Sequence, residues 1–96
     1  MDPFQTRRLG NTSVELPQFG FGGAPLGELF EKVEEEQSSE TLNAAYSSGI
    51  RYFDTAPWYG HGLSEHRTGG LLRRYPRNEF LLSTKVGRIY KAFPGD

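Results

Sequence analysis

No cysteine occurs in the 96 residues of this chain. Disulfides, cysteine-ligated zinc and thiol catalysis are therefore excluded, although the compartment is not fixed by that fact; the cytoplasm is the default expectation. Neither sign of charge dominates. Eleven Lys and Arg against twelve Asp and Glu leave a formal charge of −1, and a nucleic-acid or membrane-surface protein would normally carry a basic excess. No apolar run approaches the roughly 18 residues of a membrane span, and Met1-Asp2-Pro3-Phe4 opens no signal peptide. Disorder is excluded from the other side, because aromatic residues make up 14% of the chain. The length suits one small domain or part of a larger one.

What is present reads as alternating strands and helices. Arg7 to Leu16 predicts a β-hairpin about Gly10-Asn11, a pair tolerant of positive φ. Phe19-Gly20-Phe21-Gly22-Gly23 predicts a short strand, bulky on one face and bare on the other, where a backbone or ligand can approach closely. Residues 28 to 40 hold six glutamates and one lysine, the pattern of a solvated helix start. That helix continues to Ser48 with Leu42, Ala45 and Tyr46 as its inward stripe and Gly49 as a left-handed stop. Strand Ile50–Asp54 follows. Ser64 is the expected cap of a second helix, with Thr68, Leu71, Leu72 and Tyr75 on one face. Gly69 and Gly70 inside it should each cost about 1 kcal/mol relative to alanine. Phe80–Val86 reads as a third strand, and its apolar start suits a parallel strand buried on both faces. Gly87 to Pro94 reads as loop. The order is a hairpin and then β-α-β-α-β, which implies parallel neighbours and right-handed crossovers.

Common ligand motifs fail. A dinucleotide fingerprint begun at Gly20 meets Pro25 at its sixth position, and no Gly-Lys-Ser/Thr phosphate loop exists. The glycines from Gly20 to Gly27 therefore suit either a plain tight turn or a ligand approach. His61 and His66, with Glu65 between them, do not have zinc spacing, so no metal is expected. One constellation does carry chemistry. Gly23, Asp54 and Lys85 stand 31 residues apart in succession, each at the carboxyl end of its predicted strand. Adjacent strands lie about 4.8 Å apart, so an Asp54–Lys85 ion pair across the edge is natural. It can be purely structural. Tyr59, on the loop after Asp54, supplies the functional alternative: a phenol ionises near pH 10 when unperturbed, and a lysine ammonium beside it favours the phenolate and brings proton transfer toward neutrality.

Gly49-Ile50-Arg51-Tyr52-Phe53-Asp54-Thr55-Ala56-Pro57-Trp58-Tyr59-Gly60, with Leu63-Ser64-Glu65, resembles the signature of the aldo-keto reductase superfamily. Ser83-Thr84-Lys85-Val86-Gly87-Arg88 is similar to its third-strand lysine motif, and Phe19–Gly23 to its first strand. The resemblance covers residues 7 to 90. Trp58 to Arg67 together with Lys85 to Arg88 resemble in particular the D-threo-aldose (L-fucose) 1-dehydrogenase and pyridoxal 4-dehydrogenase branch.

The resemblance implies the N-terminal portion of a (β/α)8 TIM barrel, an α/β fold in which residues 1–96 are part of a single barrel domain. It implies NAD or NADP as cofactor and an Asp, Tyr, Lys and His tetrad. Three members map onto Tyr59 as proton donor or acceptor, Lys85 as its modulator and Asp54 as the lysine's partner. Gly22, Gly23 and Ala24 match the loop that approaches nicotinamide, and Trp58 would line the substrate pocket unless it merely packs at the rim. Glu34 stands at the usual capping position of the first helix. A barrel of this kind needs about 250 residues, so the chain is expected to be an inactive N-terminal fragment, with the family histidine beyond Asp96. The expected substrate is a small carbonyl compound or sugar, such as an aldose or a pyridoxal-like aldehyde. The alternatives are a non-catalytic cofactor-binding protein, as in the channel subunits that share this fold, and a Schiff-base lyase acting through Lys85.

Overall fold

The computed structural model describes residues 2–87, so the expected loop from Gly87 to Pro94 lies, past its first residue, outside the described residues. The chain opens with the antiparallel pair β1 (Thr6–Arg8) and β2 (Glu15–Pro17), registered Thr6 to Pro17 and Arg8 to Glu15. Its connection is wider than a two-residue turn at Gly10-Asn11. The Thr12 hydroxyl donates to Leu9 O at 2.6 Å and accepts from Val14 N at 3.2 Å, a side-chain turn that outcompetes a tight hairpin.

A parallel sheet follows in the order β3 (Phe21–Gly22), β4 (Tyr52–Asp54), β5 (Leu81–Ser83). Phe21, Phe53 and Leu82 are in register and share one face; Gly22, Asp54 and Ser83 share the other. Two helices cover the Phe53 side. Phe53 is fully buried and joins Leu26, Leu42, Tyr46, Leu71, Leu72 and Phe80 in the core. Its ring lies 5.8 Å from that of Phe21 and 6.3 Å from that of Tyr46.

Helix α1 (Glu35–Ser47) buries the expected stripe of Leu42 and Tyr46, with Ala45 half-buried, and Gly49 at φ +105° ends it. It starts later than the run of glutamates suggests. Glu28 takes a left-handed φ of +61° and accepts a hydrogen bond from Val33 N at 3.1 Å, so residues 28 to 34 form a loop. Glu34 is the N-cap without a side-chain capping bond, leaving Glu35 and Glu36 to complement the helix dipole.

Helix α2 (Leu63–Leu72) corrects a second expectation. Its cap is Gly62 at φ +97°, while Ser64 lies inside the first turn with its hydroxyl buried. Thr68, Leu71 and Leu72 face the core, and Tyr75 reaches the same side from beyond the helix by stacking 3.8 Å from Tyr46. Strand β5 is also not buried on both faces. Leu82 is 45% exposed because β5 is the edge strand of the sheet, where the helical cover centred on Phe53 runs out.

Candidate active site

All three parallel strands end at one edge, and backbone bonds extend the ladder past it: Gly23 N to Asp54 O at 2.8 Å and Thr55 N to Ser83 O at 2.9 Å. The edge brings the expected charged pair together. Lys85 Nζ donates to Asp54 Oδ2 at 2.7 Å and to Thr55 O at 3.0 Å. Asp54 Oδ1 accepts from Ser83 Oγ at 2.6 Å, so both carboxylate oxygens are held. Burial opposes ionisation of Asp54, but hydrogen bonds from Lys85 and Ser83, with the lysine's charge, outweigh it and hold the carboxyl below the usual aspartate range. Lys85 is pushed the other way. Its hydrogen bond to Asp54 raises it, desolvation lowers it less, and the charge of Asp54 and the neighbouring Tyr59 add to the rise.

Tyr59 comes to this pair on the loop between β4 and α2. Lys85 Nζ lies 5.2 Å from the centre of its ring. Successive turns carry the loop, from Tyr59 N to Ala56 O at 3.3 Å and from Gly62 N to Pro57 O at 2.9 Å. Gly27 and Gly60 meet back to back: a side chain on Gly27 would overlap the Tyr59 carbonyl, and one on Gly60 would lie 2.5 Å from Gly27 O. The turn before α1 thus seats the tyrosine.

The glycines near β3 divide by use. A side chain at Gly23 would lie 2.7 Å from Ser64 Oγ and 2.9 Å from Asp54 O, so the protein itself fills that space. Ser64 donates to Gly23 O at 2.7 Å, which makes Thr55 the donor in the 2.6 Å Thr55–Ser64 bond. Gly22, beside Asp54 in register, has nothing within 4 Å of a would-be side chain and stays open; Ala24, which begins the short turn Ala24–Gly27, is half-buried.

A cavity of about 420 Å³ opens beside the pair, lined by Leu29, Ala56, Pro57, Trp58, Tyr59, Lys85 and Val86. Trp58 is 38% exposed along its wall. Sequence reasoning brought Trp58, Tyr59 and Lys85 to the cavity wall and Asp54 behind it as the partner of Lys85, whereas Gly22, Gly23 and Ala24 stand at the end of β3 outside the wall. It missed Leu29, the Thr55 carbonyl, Gly27 and Ser83. The serine had a findable signal: two residues before Lys85, it falls opposite Asp54 once the strands are aligned. Among the described residues no three His, Asp or Glu side chains gather as a metal site, and no helix is long and apolar enough to cross a membrane.

Parallel β/α units with a charged pair at their carboxyl edge are the arrangement with which a β/α barrel opens. Known proteins agree. The profile of the aldo/keto reductase family matches residues 18–95, and the chain belongs to that family. It is 47% identical over 81 residues to D-threo-aldose 1-dehydrogenase from Pseudomonas sp, covering 84% of this chain and 25% of that one. It is 39% identical over 95 residues to L-galactose dehydrogenase from Arabidopsis thaliana (97% and 30%) and 45% identical over 85 residues to pyridoxal 4-dehydrogenase from Microbacterium luteolum (88% and 25%). Among solved structures, an aldo-keto reductase from Bacillus halodurans in its holo form superposes with a TM-score of 0.78 at 31% identity, covering 92% of this chain and 28% of that one. The chain therefore spans about a quarter of the length of such relatives. Its fold is the hairpin and the first β/α units of the family's (β/α)8 barrel.

Proposed function

We propose that the protein carrying this chain is an NAD(P)-dependent oxidoreductase acting on the carbonyl or hemiacetal carbon of a small aldose or aldehyde. The observation that carries this reading is the Lys85–Asp54 pair at 2.7 Å beside Tyr59, with Lys85 and Tyr59 both on the wall of one cavity. Tyr59 moves the proton at the substrate oxygen. Lys85 holds a positive charge where negative charge develops on the phenol oxygen, and Asp54 fixes Lys85 with help from the Thr55 carbonyl. Trp58 and Leu29 give the cavity apolar walls that orient the substrate.

The residues present fit a nicotinamide cofactor. Gly22 leaves an uncovered patch of backbone beside Asp54 that a side chain would fill and that would take the flat ring, with Ala24 next to it, whereas the space at Gly23 is taken by Ser64 and the Asp54 carbonyl. When bound, NAD or NADP supplies or accepts the hydride. An aldose substrate is favoured by the likeness to D-threo-aldose and L-galactose dehydrogenases, and a pyridoxal-like aldehyde by the likeness to pyridoxal 4-dehydrogenase.

The test is a panel of aldoses and of pyridoxal, with NAD and NADP in turn, read by absorbance of the reduced nicotinamide. Turnover with an aldose or an aldehyde is expected. A protein that binds the cofactor yet turns over no member of the panel would point instead to a non-catalytic cofactor-binding protein.

A further inference from the structure

The face of the sheet that carries Asp54 also carries two hydroxyls the proposed chemistry does not use. Tyr52 lies two residues before Asp54 on β4, so both point to the same side, and Ser83 stands opposite Asp54 on β5. The three are bonded in series, with Tyr52 Oη to Ser83 Oγ at 3.0 Å and Ser83 Oγ to Asp54 Oδ1 at 2.6 Å. The direction of the series follows from chemistry. An ionised carboxylate only accepts, so the single Ser83 proton points to Asp54, and Tyr52 must donate to Ser83. The Tyr52 ring is itself seated by the bare Gly20 of the neighbouring segment, where a side chain would come within 2.6 Å of ring Cδ2. The chain of groups thus runs from the backbone at Gly20, across β4, to β5 and back to Asp54.

We propose that Tyr52 and Ser83 form a directed hydrogen-bond relay that orients the Asp54 carboxylate toward Lys85. Both are positioning residues for the acid–base site, and their effect on turnover rests on the oxidoreductase reading. The carboxylate can rotate about its terminal torsion unless both oxygens are held. Ser83 holds one oxygen and leaves the other for Lys85. Donation from Tyr52 polarises the Ser83 hydroxyl and strengthens its bond to the charged oxygen. Among the described residues, the titratable groups around Asp54 are Lys85, Tyr59 on the loop after β4 and Tyr52 on β4. Glu65 of α2 is engaged separately, accepting from the Thr84 hydroxyl at 2.7 Å.

The experiment compares Ser83→Ala, Tyr52→Phe, the double variant and Ser83→Thr in the protein that carries this chain. Asp54 is titrated by carboxyl carbon NMR without cofactor, and kcat is followed against pH. Ser83→Ala is expected to move the Asp54 titration upward by about half a pH unit or more and to lower kcat by about 5- to 20-fold. Tyr52→Phe should act in the same direction but less, about 2- to 3-fold. The double variant should match Ser83→Ala alone, because Tyr52 acts only through the serine. Ser83→Thr keeps the hydroxyl and should restore most of both readouts.

An unmoved Asp54 titration in Ser83→Ala, or additive losses in the double variant, would overturn the relay. Should Ser83→Ala fail to fold, Tyr52→Phe decides, since it removes one hydroxyl and keeps the ring; an unshifted Asp54 titration there rejects the relay equally. The titration needs no turnover. A shifted Asp54 in a protein that turns over no substrate would therefore leave the relay standing and reject the oxidoreductase reading alone.

Discussion

At the carboxyl edge of the sheet, Asp54 receives hydrogen bonds on both oxygens and Lys85 donates to two acceptors. Behind the sheet, in the layer formed by α1 and α2, the hydroxyls of Ser38 and Thr68 are buried with no hydrogen-bond partner among the described residues. The same two β/α units thus satisfy their polar groups unequally. The helical layer is required only to cover Phe53 and its neighbours, a non-directional task that tolerates a poorly used hydroxyl. The edge must hold a charge pair at fixed geometry beside a cavity, and that requires each polar atom to have a defined partner. Substitutions at the edge should therefore cost function more than stability, and substitutions in the helical layer the reverse.

The largest effect is expected at the edge. Lys85→Met removes the charge beside Tyr59 and leaves Asp54 without its main partner, and kcat should fall by at least about 100-fold. Steady-state kinetics across pH would check this, and a preserved rate and profile would make the pair purely structural. Next in size is Arg67, where the two regions meet. Its buried guanidinium donates to Glu35 Oε2 at 2.8 Å, Leu26 O at 3.0 Å and Val33 O at 2.9 Å, fastening both ends of the 28–34 loop to α2. Arg67→Ala strands those carbonyls and should cost about 2–4 kcal/mol by denaturant unfolding. Because Leu29 of that loop lines the cavity, KM should rise more than kcat falls.

A smaller effect concerns pH. The lowered Asp54 contributes stability that is present above the unfolded aspartate pKa and is lost as pH falls through its depressed folded value. The raised Lys85 contributes stability that is present below the unfolded lysine pKa and is lost as pH rises through its elevated folded value. The pair therefore stabilises across the whole neutral range and fails only at the acid and alkaline extremes. Both side chains are more than a third exposed, at 38% and 45%, so screening limits the contribution to less than about 1 kcal/mol. Unfolding of wild type and Asp54→Asn should converge once the pH falls below the depressed folded value. The smallest effect lies in α2. Gly70 has nothing within 4 Å of a would-be side chain, so Gly70→Ala should stabilise by up to about 1 kcal/mol with activity unchanged. A destabilised variant would show that the helical layer is packed more tightly than its geometry indicates.

The charged constellation was legible because it depends on spacing along the chain. Parallel neighbours bring their ends together; β5 ends at Ser83 rather than at Lys85 as expected, with Ser83 opposite Asp54, and Lys85 reaches Asp54 from two residues past the strand end. The apolar stripe of α1 was legible for the same reason, since Leu42 and Tyr46 follow helical periodicity. Residues whose role depends on a distant partner were not. Ser64 has the composition of a cap, but its hydroxyl finds Gly23, 41 positions away, and is drawn into the core. Gly27 looks like any turn glycine until the Tyr59 backbone is laid against it. The apolar start of β5 says that the strand can be buried, while the exposure of Leu82 depends on what covers it. Ser83 is an ordinary strand serine until register places it against Asp54.

The central claim is that Tyr59 moves a proton in a site organised by Lys85 and Asp54, and Tyr59→Phe tests it most directly because the ring stays and one hydroxyl goes. Turnover and NAD(P) affinity are measured together on the protein that carries this chain. The account predicts a fall in kcat of about 100-fold or more with cofactor affinity nearly unchanged. Turnover equal to that of the unaltered protein would contradict it.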